Sequence, residues 1–280
     1  MSIYNPHSTL GLITVATGDL YRQEVRNLIA SLRLHSPNLE LTIFTDQPFL
    51  EPNTVGVREF VIEEPTHTFF DKIIAIQNRP YARTLYVDTD TVIARDVNPI
   101  FELLEGCDVA AVHDSWRVRY SAAPPEVFPE PNCGVILLGE SKEVELMVKS
   151  WAANYHRLGE MWSEGGSFGD QHPLWEVLWQ MQCSRELRFL ALPVEWNIHI
   201  WHPISLPQNA EPAIIHGRGR SLAQVGKSLS STPLARVWIP NLIGWNGLGA
   251  DRGVIFGDRL GNLGMRALVA TNRLVRRITS

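Results

Sequence analysis

The chain lacks the two commonest nucleotide-binding motifs. No G-x-G-x-x-G follows its first apolar run, Leu10 to Ala16, and no G-x-x-x-x-G-K-[ST] occurs anywhere in the 280 residues. A glycine-rich loop that surrounds phosphates with backbone N–H groups is therefore excluded. If this protein binds a nucleotide, a metal ion and side chains must hold the phosphates.

Cysteine is scarce, and neither a long apolar run nor an excess of positive charge is present. The three cysteines, Cys107, Cys133 and Cys183, form no Cys-x-x-Cys pair, which argues against a zinc site and favours a reducing compartment. The net charge of −5 offers no basic field for nucleic acid. No stretch reaches the ~20 apolar residues that cross a bilayer, and no basic segment precedes the first apolar run. These absences predict a cytoplasmic protein that does not bind nucleic acid.

Strand-like and helix-like segments alternate along the first half of the chain. This alternation, with short connections, predicts an α/β fold with a mostly parallel sheet covered by helices on both faces. The predicted strands are Leu10 to Ala16, Glu40 to Thr45, Val57 to Ile62, and Leu85 to Val87 continued by Val92 and Ile93; beyond residue 100, where the pattern changes, they are Val109 to His113 and Val135 to Leu138. The predicted helices are Tyr21 to Leu34, Phe69 to Asn78, Val144 to Leu158, and His172 to Gln182.

The most informative stretch is Val87-Asp88-Thr89-Asp90, at the end of a predicted buried strand. Two carboxylates one residue apart are costly there unless a positive charge compensates them. Mg²⁺ or Mn²⁺ prefers oxygen ligands and would also bridge a diphosphate. The alternative is an ordinary strand end with turn-forming Asp and Thr residues.

Further polar residues follow apolar segments in an order expected of one concave site. They are Asn132 before Gly134, Asp170 with Gln171, Asn197 after Trp196, and His216 after Ile214-Ile215. Two aspartates and a histidine would make a ligand set for Mn²⁺. Taken singly, Asp170 with Gln171 is also typical of a helix N-terminus, and a histidine after a strand is often an ordinary buried polar residue.

The order of these motifs resembles the GT-A nucleotide-sugar glycosyltransferases, especially the family of glycogenin and the bacterial lipopolysaccharide galactosyltransferases. The resemblance runs from about Thr14 to Gly219. The matching segments are Thr14 to Tyr21, Lys72, Tyr86 to Asp90, Pro131 to Val135, Gly169 to Gln171, Leu192 to Asn197, and Ile214 to Gly217. The resemblance implies a Rossmann-like GT-A catalytic domain over residues 1–220 and a helical or irregular extension over residues 221–280.

The resemblance also implies a role for each site residue. A UDP-sugar would be the donor, Mn²⁺ or Mg²⁺ the metal, and a glycan, glycolipid or protein the acceptor, with the anomeric configuration retained. Asp88, Asp90 and His216 would hold the metal, and Asp170 and Gln171 would act at the reacting face. The donor site would comprise Ala16, Thr17 and Tyr21 at the nucleoside, Lys72 near the diphosphate or sugar, Asn132 at the sugar, and Thr89, Gly134, Asn197, Gly217 and Gly219.

One departure from the family pattern concerns the diphosphate. The family has a lysine after the metal-binding histidine that contacts the diphosphate, and here Leu222 takes its position. Arg218, Arg220 and Lys227 are the nearby candidates for the missing charge. Two other functions stay open: a nucleotidyltransferase that forms sugar nucleotides, and a catalytically silent sugar-nucleotide or glycan-binding module. The first normally needs a Gly-rich basic loop after the first strand, where this chain has Thr17-Gly18-Asp19-Leu20.

The C-terminal tail lies outside the resemblance. From Arg259 to Ser280 it carries five arginines and no acidic residue. On a helix, four of the arginines (Arg259, Arg266, Arg273 and Arg277) would lie within about 40° of one another. A basic amphipathic helix of this kind predicts peripheral contact with the inner face of an anionic membrane. The alternatives are a helix packed on the catalytic domain and a helix that forms a homo-oligomer.

Overall fold

The computed structural model describes residues 9–51, 54–114, 124–161, 169–218, 222–231, 233–240 and 253–256. A seven-stranded sheet in the order β3-β2-β1-β4-β7-β6-β8 forms its centre. Strands β3, β2, β1 and β4 run parallel, β7 is antiparallel to both neighbours, and β8 is parallel to β6. The predicted α/β fold with a mostly parallel central sheet is confirmed.

The secondary-structure elements have the following bounds. The large sheet consists of β1 (Leu10–Ala16), β2 (Leu41–Thr45), β3 (Val57–Val61), β4 (Arg83–Val87), β6 (Val109–His113), β7 (Pro131–Leu138) and β8 (Phe189–Leu192). The short strands are β5 (Thr91–Ile93), β9 (Ile198–His199), β10 (Ile204–Leu206), β11 (Ile214–His216), β12 (Arg236–Pro240) and β13 (Gly253–Phe256). The helices are α1 (Asp19–His35), α2 (Phe70–Gln77), α3 (Lys142–Met161), α4 (Gln171–Ser184) and α5 (Leu222–Ser230), with 3-10 turns at Asn98–Glu105 and Val194–Trp196.

Alternation along the central strands supplies a core on each face of the sheet. Leu12 and Leu85 belong to the core that α1 covers, whereas Ile13 and Tyr86 belong to the core that α2, α3 and α4 cover. Successive side chains of a strand point to opposite faces, so a strand buried on both sides must be apolar at nearly every position. This continuity is why these strands could be recognised as buried from the sequence.

Two predicted strands differ from the structure. Val92 and Ile93 do not continue β4; they lie in β5, which pairs with β11 in a separate three-stranded sheet of the order β5-β11-β9. The turn at Asp88–Asp90 separates the two strands. Strand β7 begins at Pro131, earlier than the predicted Val135. Proline is tolerated there because it is the first residue of the strand, and Asn132 consequently lies within the sheet.

The described residues after 221 pack on the same body. Leu222, Val225 and Leu229 of α5 share a hydrophobic cluster with Val92 and Ile215. Strand β12 pairs with β10 and with β13, and these strands form a second small sheet, the third sheet among the described residues. No helix among the described residues is long and apolar enough to cross a membrane. Gly219 and the arginine-rich tail from Arg259 lie outside the described residues.

Candidate active site

Asp88, Asp90 and His216 meet at the carboxyl end of β4. Their ligand atoms lie within 4.8 Å of one another. The Nε2 atom of His216 is 3.3 Å from Oδ1 of Asp90 and 3.7 Å from Oδ2 of Asp88. Two carboxylates and an imidazole aimed at one point could hold a divalent cation that accepts both oxygen and nitrogen ligands.

The small sheet positions His216 for this contact. Strand β11 runs antiparallel to β5 with His216 opposite Thr91, the residue that follows Asp90. The next residue, Gly217, donates a backbone hydrogen bond to the carbonyl of Asp90 at 2.9 Å. The histidine is therefore tied through the backbone to the segment that carries both aspartates.

Gly134 makes room for the imidazole. A Cβ atom at this position would lie 2.1 Å from Cε1 and 2.6 Å from Nδ1 of His216, which is too close for any side chain. Gly217 has a φ of +135°, and a Cβ there would lie 2.7 Å from Ile200. Both glycines thus have steric roles around His216.

Two buried asparagines orient the same ring. Oδ1 of Asn197 is 3.0 Å from Nδ1 of His216, and Nδ2 of Asn197 donates to Oδ1 of Asn132 at 2.8 Å. The backbone N–H of Gly134 also donates to that Asn132 oxygen. Because Asn197 presents an acceptor, Nδ1 carries the proton and Nε2 faces the carboxylates. A hydrogen bond of this kind to the far ring nitrogen would fix the tautomer and the orientation of a histidine that binds a metal.

Opposite charges in this cluster stabilise one another. Burial by itself raises the pKa of Asp90, but the charge and hydrogen bond of His216 and the charge of Arg218 outweigh it and lower the pKa to about 2. Burial opposes protonation of His216, yet Asp90 and Asp88 raise its pKa above the ordinary value. The imidazole and the two carboxylates thus each favour the charged form of the other.

Lys72 links the aspartates to the predicted reacting face. From α2, its Nζ lies 3.1 Å from Oδ1 of Asp88 and 2.8 Å from Oδ2 of Asp170, and it donates to the carbonyl of Cys133 at 3.0 Å. Asp170 precedes α4, and its side chain makes no capping hydrogen bond to that helix. Burial raises the pKa of Asp170 against the opposing charge of Lys72. A cap alone therefore does not account for Asp170.

Tyr86 is a site residue that sequence reasoning missed. Its hydroxyl donates to Oδ1 of Asp88 at 2.6 Å from a fully buried ring. Burial and the charge of Asp88 raise the pKa of this phenol well above its ordinary value, so it stays protonated and remains a donor. Its place in an apolar strand made it indistinguishable from a core tyrosine.

Gln171 and Asn132 converge on a second missed residue, Asp114. The amide groups of both donate to Oδ2 of Asp114, at 3.0 and 2.9 Å respectively. Oδ1 of Asn132 also accepts the hydrogen bond from Asn197, so Asn132 links this group to the histidine network. Asp114 follows the end of β6, a position that the strand-end rule could have indicated.

The predicted nucleoside residues lie at the end of β1 and the start of α1. Ala16 is fully buried in the core, and its carbonyl accepts a hydrogen bond from Thr45. Thr17 donates to Oδ2 of Asp71 at 2.8 Å. The half-exposed ring of Tyr21 lies under the guanidinium of Arg218, 5.4 Å from ring centroid to Cζ.

Arg218 and Glu24 complete this side of the site. Glu24 accepts hydrogen bonds from Thr89 and Arg218, at 3.1 and 2.9 Å. Leu222, at the position of the family lysine, lines the same small pocket as these three residues. The predicted site residues that the structure describes thus lie on the side of the central sheet where β4 has its carboxyl end. Gly219 lies outside the described residues.

Comparison with known proteins identifies the fold. No model of a known protein family matches the chain, and no relative is found among curated sequences. Among solved structures, the galactosyltransferase LgtC, in complex with donor and acceptor sugar analogues, matches at a TM-score of 0.53 with 12% identity, over 79% of this chain and 96% of LgtC. The glycosyltransferase GlyE of Streptococcus pneumoniae TIGR4 matches at a TM-score of 0.54 with 16% identity, over 79% of this chain and 60% of GlyE.

The bifunctional glycosyltransferase WbbM matches at a TM-score of 0.52 with 16% identity, over 79% of this chain and 47% of WbbM. The chain thus spans less than two thirds of GlyE and of WbbM and nearly the whole of LgtC. The chain has the fold of the GT-A glycosyltransferases, and at these identities the likeness extends to the fold alone.

Proposed function

We propose that this chain is a metal-dependent glycosyltransferase that moves a sugar from a UDP-sugar to a hydroxyl group of a glycan, glycolipid or protein, with retention of configuration. The observation that carries the proposal is the Asp88–Asp90–His216 cluster at the carboxyl end of a central strand in a GT-A fold. In open α/β sheets, ligands bind at the carboxyl ends of the strands, which is where this cluster lies.

The residues of the cluster fit Mn²⁺, with Mg²⁺ as the alternative. Two carboxylates supply hard oxygen ligands, and the Nε2 of His216 faces them because Asn197 engages the other ring nitrogen. When bound there, Mn²⁺ would neutralise the negative charge on the departing UDP. Tyr86 and Lys72 orient Asp88 from its other oxygen, Oδ1.

Residues of the chain divide the remaining tasks. Thr17 and Tyr21 bind the nucleoside, and Asn132 orients the donor sugar. Positive charge develops at the anomeric carbon in an oxocarbenium-like transition state. Asp170 immediately precedes α4, and Gln171 is the first residue of that helix. We assign the carboxylate of Asp170 and the amide of Gln171 to the stabilisation of this positive charge. Lys72 holds Asp170 in its orientation before the reaction begins. Such preorganisation of charged groups is the main source of electrostatic catalysis.

A donor screen tests the proposal. Purified protein is incubated with Mn²⁺ and a panel of UDP- and GDP-sugars, and release of the nucleoside diphosphate is measured with and without a mixture of acceptors. We expect release from a UDP-sugar that EDTA abolishes. Pyrophosphate release from UTP and a sugar 1-phosphate would instead identify a nucleotidyltransferase, and tight donor binding without turnover would identify a silent module.

Location and assembly are part of the same proposal. Of the three cysteines, Cys107 and Cys133 are buried, Cys183 is exposed, and none forms a disulfide. We place the enzyme in the cytoplasm, where its arginine-rich tail would contact the inner face of the membrane near a lipid-linked acceptor. A role of the tail in a homo-oligomer is the alternative.

A further inference from the structure

Arg218 is held beside the Asp88–Asp90–His216 cluster by three different contacts. Its Nε donates to Oε1 of Glu24 at 2.9 Å and lies 4.0 Å from Oδ2 of Asp90. Its guanidinium lies over the ring of Tyr21, with 5.4 Å between Cζ and the ring centroid. The hydrogen bond to Glu24 uses one of the five N–H donors of the guanidinium, and 44% of the side chain remains exposed. The arginine is therefore fixed in direction and open to solvent.

Two other cations near the site are engaged within the protein. Lys72 is 6% exposed and lies between Asp88 and Asp170. Arg22 is 10% exposed and pairs with Asp19 and Asp46. If Lys72 turned to a ligand, the buried Asp170 would lose its partner, and if Arg22 did so, the largely buried Asp46 would lose its partner; both changes are costly. Arg218 instead borders a small pocket open to solvent, which Asp90 and Thr89 also line.

Glu24 ties this arginine to the metal-binding segment. It projects from α1, its other oxygen accepts the hydroxyl proton of Thr89 at 3.1 Å, and its side chain is 16% exposed. A buried carboxylate costs free energy unless it is paired. Glu24 joins Thr89, which lies between the two aspartates, to Arg218, which lies two residues after the histidine.

We propose that Glu24 is a positioning residue that holds Arg218 next to the Asp88–Asp90–His216 cluster, where Arg218 binds the phosphates of the nucleoside diphosphate. A guanidinium matches two phosphate oxygens at once, and charge-assisted pairs of this kind are among the strongest hydrogen bonds in proteins. The contact to Glu24 fixes the plane of the guanidinium before the ligand arrives, which reduces the entropy lost on binding. This proposal deepens the proposed function and rests on it for the identity of the natural ligand.

Inorganic pyrophosphate with Mn²⁺ is the first probe, because it contains the diphosphate without nucleoside or sugar. Dissociation constants are measured by calorimetry for the wild type and for Arg218→Gln, Arg218→Lys, Glu24→Gln and the double variant Glu24→Gln/Arg218→Gln. Arg26→Gln is the matched control. Arg26 is an exposed arginine of α1, the helix that carries Glu24, and its guanidinium lies over the ring of Phe49. Circular dichroism melting and the affinity for Mn²⁺ alone verify that each variant is folded.

We expect Arg218→Gln to weaken pyrophosphate binding by about tenfold or more, as for loss of a charge-assisted pair. Glu24→Gln should weaken it by roughly fivefold, and the double variant should be no weaker than Arg218→Gln, because Glu24 acts only through the arginine. Wild-type affinity in Arg218→Gln would overturn the proposal, as would tighter binding in Glu24→Gln or additive losses in the double variant. If Arg218→Gln does not fold, Arg218→Lys decides the matter, because it keeps the charge and loses the paired donors.

A second arm with UDP separates this proposal from the proposed function. Wild-type binding of Mn²⁺ and UDP that Arg218→Gln leaves unchanged would overturn the role of Arg218 and leave the glycosyltransferase function intact. Arg218-dependent binding of pyrophosphate without binding of UDP would overturn the proposed donor and retain the phosphate site. Binding of neither probe by the wild type would overturn both.

Discussion

The absence of a side chain at Gly134 allows His216 to reach the aspartates. Gly134→Ala would place a methyl group 2.1 Å from Cε1 of the imidazole, so the ring must move. We expect Gly134→Ala to lose Mn²⁺ affinity by at least about tenfold, as when the supporting residues of a metal ligand are changed. Manganese titration followed by electron paramagnetic resonance measures this loss.

Gly159 provides the matched control for this substitution. It lies in α3, and a Cβ there would meet nothing within 4 Å. Gly159→Ala should leave Mn²⁺ affinity unchanged and raise the free energy of unfolding by about 0.5–1 kcal/mol, since alanine favours helix over glycine. Equal metal affinity in the two variants would show that His216 is not a ligand or that the strand shifts to make room.

Asp90 is the residue on which metal binding should depend most. Asp90→Asn keeps the shape of the side chain and removes the charge that faces His216. We expect Mn²⁺ and UDP together to raise the melting temperature of the wild type, because ligands that bind the folded state stabilise it, and to have no effect on Asp90→Asn. Asp108→Asn, which loses an ion pair with the exposed Arg188, serves as the control. An undiminished thermal shift in Asp90→Asn would refute the metal assignment.

Asp170 should matter for the chemical step and little for donor binding. Asp170→Asn leaves Lys72 paired with Asp88, so the buried lysine keeps one carboxylate. We expect kcat to fall by about 10² or more, because the lost charge acts on the transition state, while the dissociation constant for UDP with Mn²⁺ changes by less than about threefold. Initial rates and calorimetry on the same preparation give both quantities. An unchanged kcat would restrict Asp170 to a structural role with Lys72.

At the scale of secondary-structure elements, the entry to α2 is organised by one buried carboxylate. Asp71 accepts hydrogen bonds from the hydroxyl of Thr17, from the backbone and hydroxyl of Thr66, and from the backbone of His67. It thereby joins the end of β1 to the loop before the helix that carries Lys72. Four donors on one carboxylate make this a structural junction between Thr17 and the helix that carries Lys72.

Asp71→Asn should therefore destabilise the fold. The amide keeps one acceptor and introduces two donors that face existing donors, so we expect a loss of roughly 2–3 kcal/mol in the free energy of unfolding. Urea denaturation measures it, with the exposed Glu102→Gln expected within about 0.5 kcal/mol of the wild type. A loss under about 1 kcal/mol would mean that water replaces the carboxylate in this junction.

Sequence periodicity identified the buried strands and the main helices because each buries a regular pattern of apolar side chains. Strand β1 is apolar at nearly every position, and α1 repeats Val25, Leu28 and Leu32 on one face. The two-residue and three-residue strands that place His216 carry no such pattern. Their pairing depends on contacts between distant segments, so the break at Asp88–Asp90 and the separate sheet could not be predicted.

The site residues that were predicted have a recognisable sequence pattern, and those that were missed do not. Asp88, Asp90 and His216 stand out because charged or titratable groups follow apolar strands. Tyr86 and Glu24 do not stand out, because one lies in a buried strand and the other in an amphipathic helix where glutamate is common. Only their distances to Asp88, Thr89 and Arg218 reveal a role.

At the scale of the whole molecule, the described residues after 221 pack on the main α/β body through α5 and β12, and β13 completes the third sheet. A deletion that preserves this sheet must therefore retain Gly253–Phe256. Removing residues 259–280 meets this condition and deletes all five tail arginines. The deletion thus tests the tail without opening the β10-β12-β13 sheet.

Liposome flotation distinguishes the alternatives for this tail. The full-length chain should float with anionic phosphatidylglycerol vesicles at low salt, because each basic side chain near such a surface contributes about 1 kcal/mol of attraction. Neutral vesicles and high salt should release it, since charge screening removes that attraction. The chain ending at Asp258 should stay at the bottom of the gradient while keeping donor turnover. If the full-length chain does not float with anionic vesicles, the membrane hypothesis is wrong, and a lower native mass of the truncated protein by light scattering would then assign the tail to a homo-oligomer.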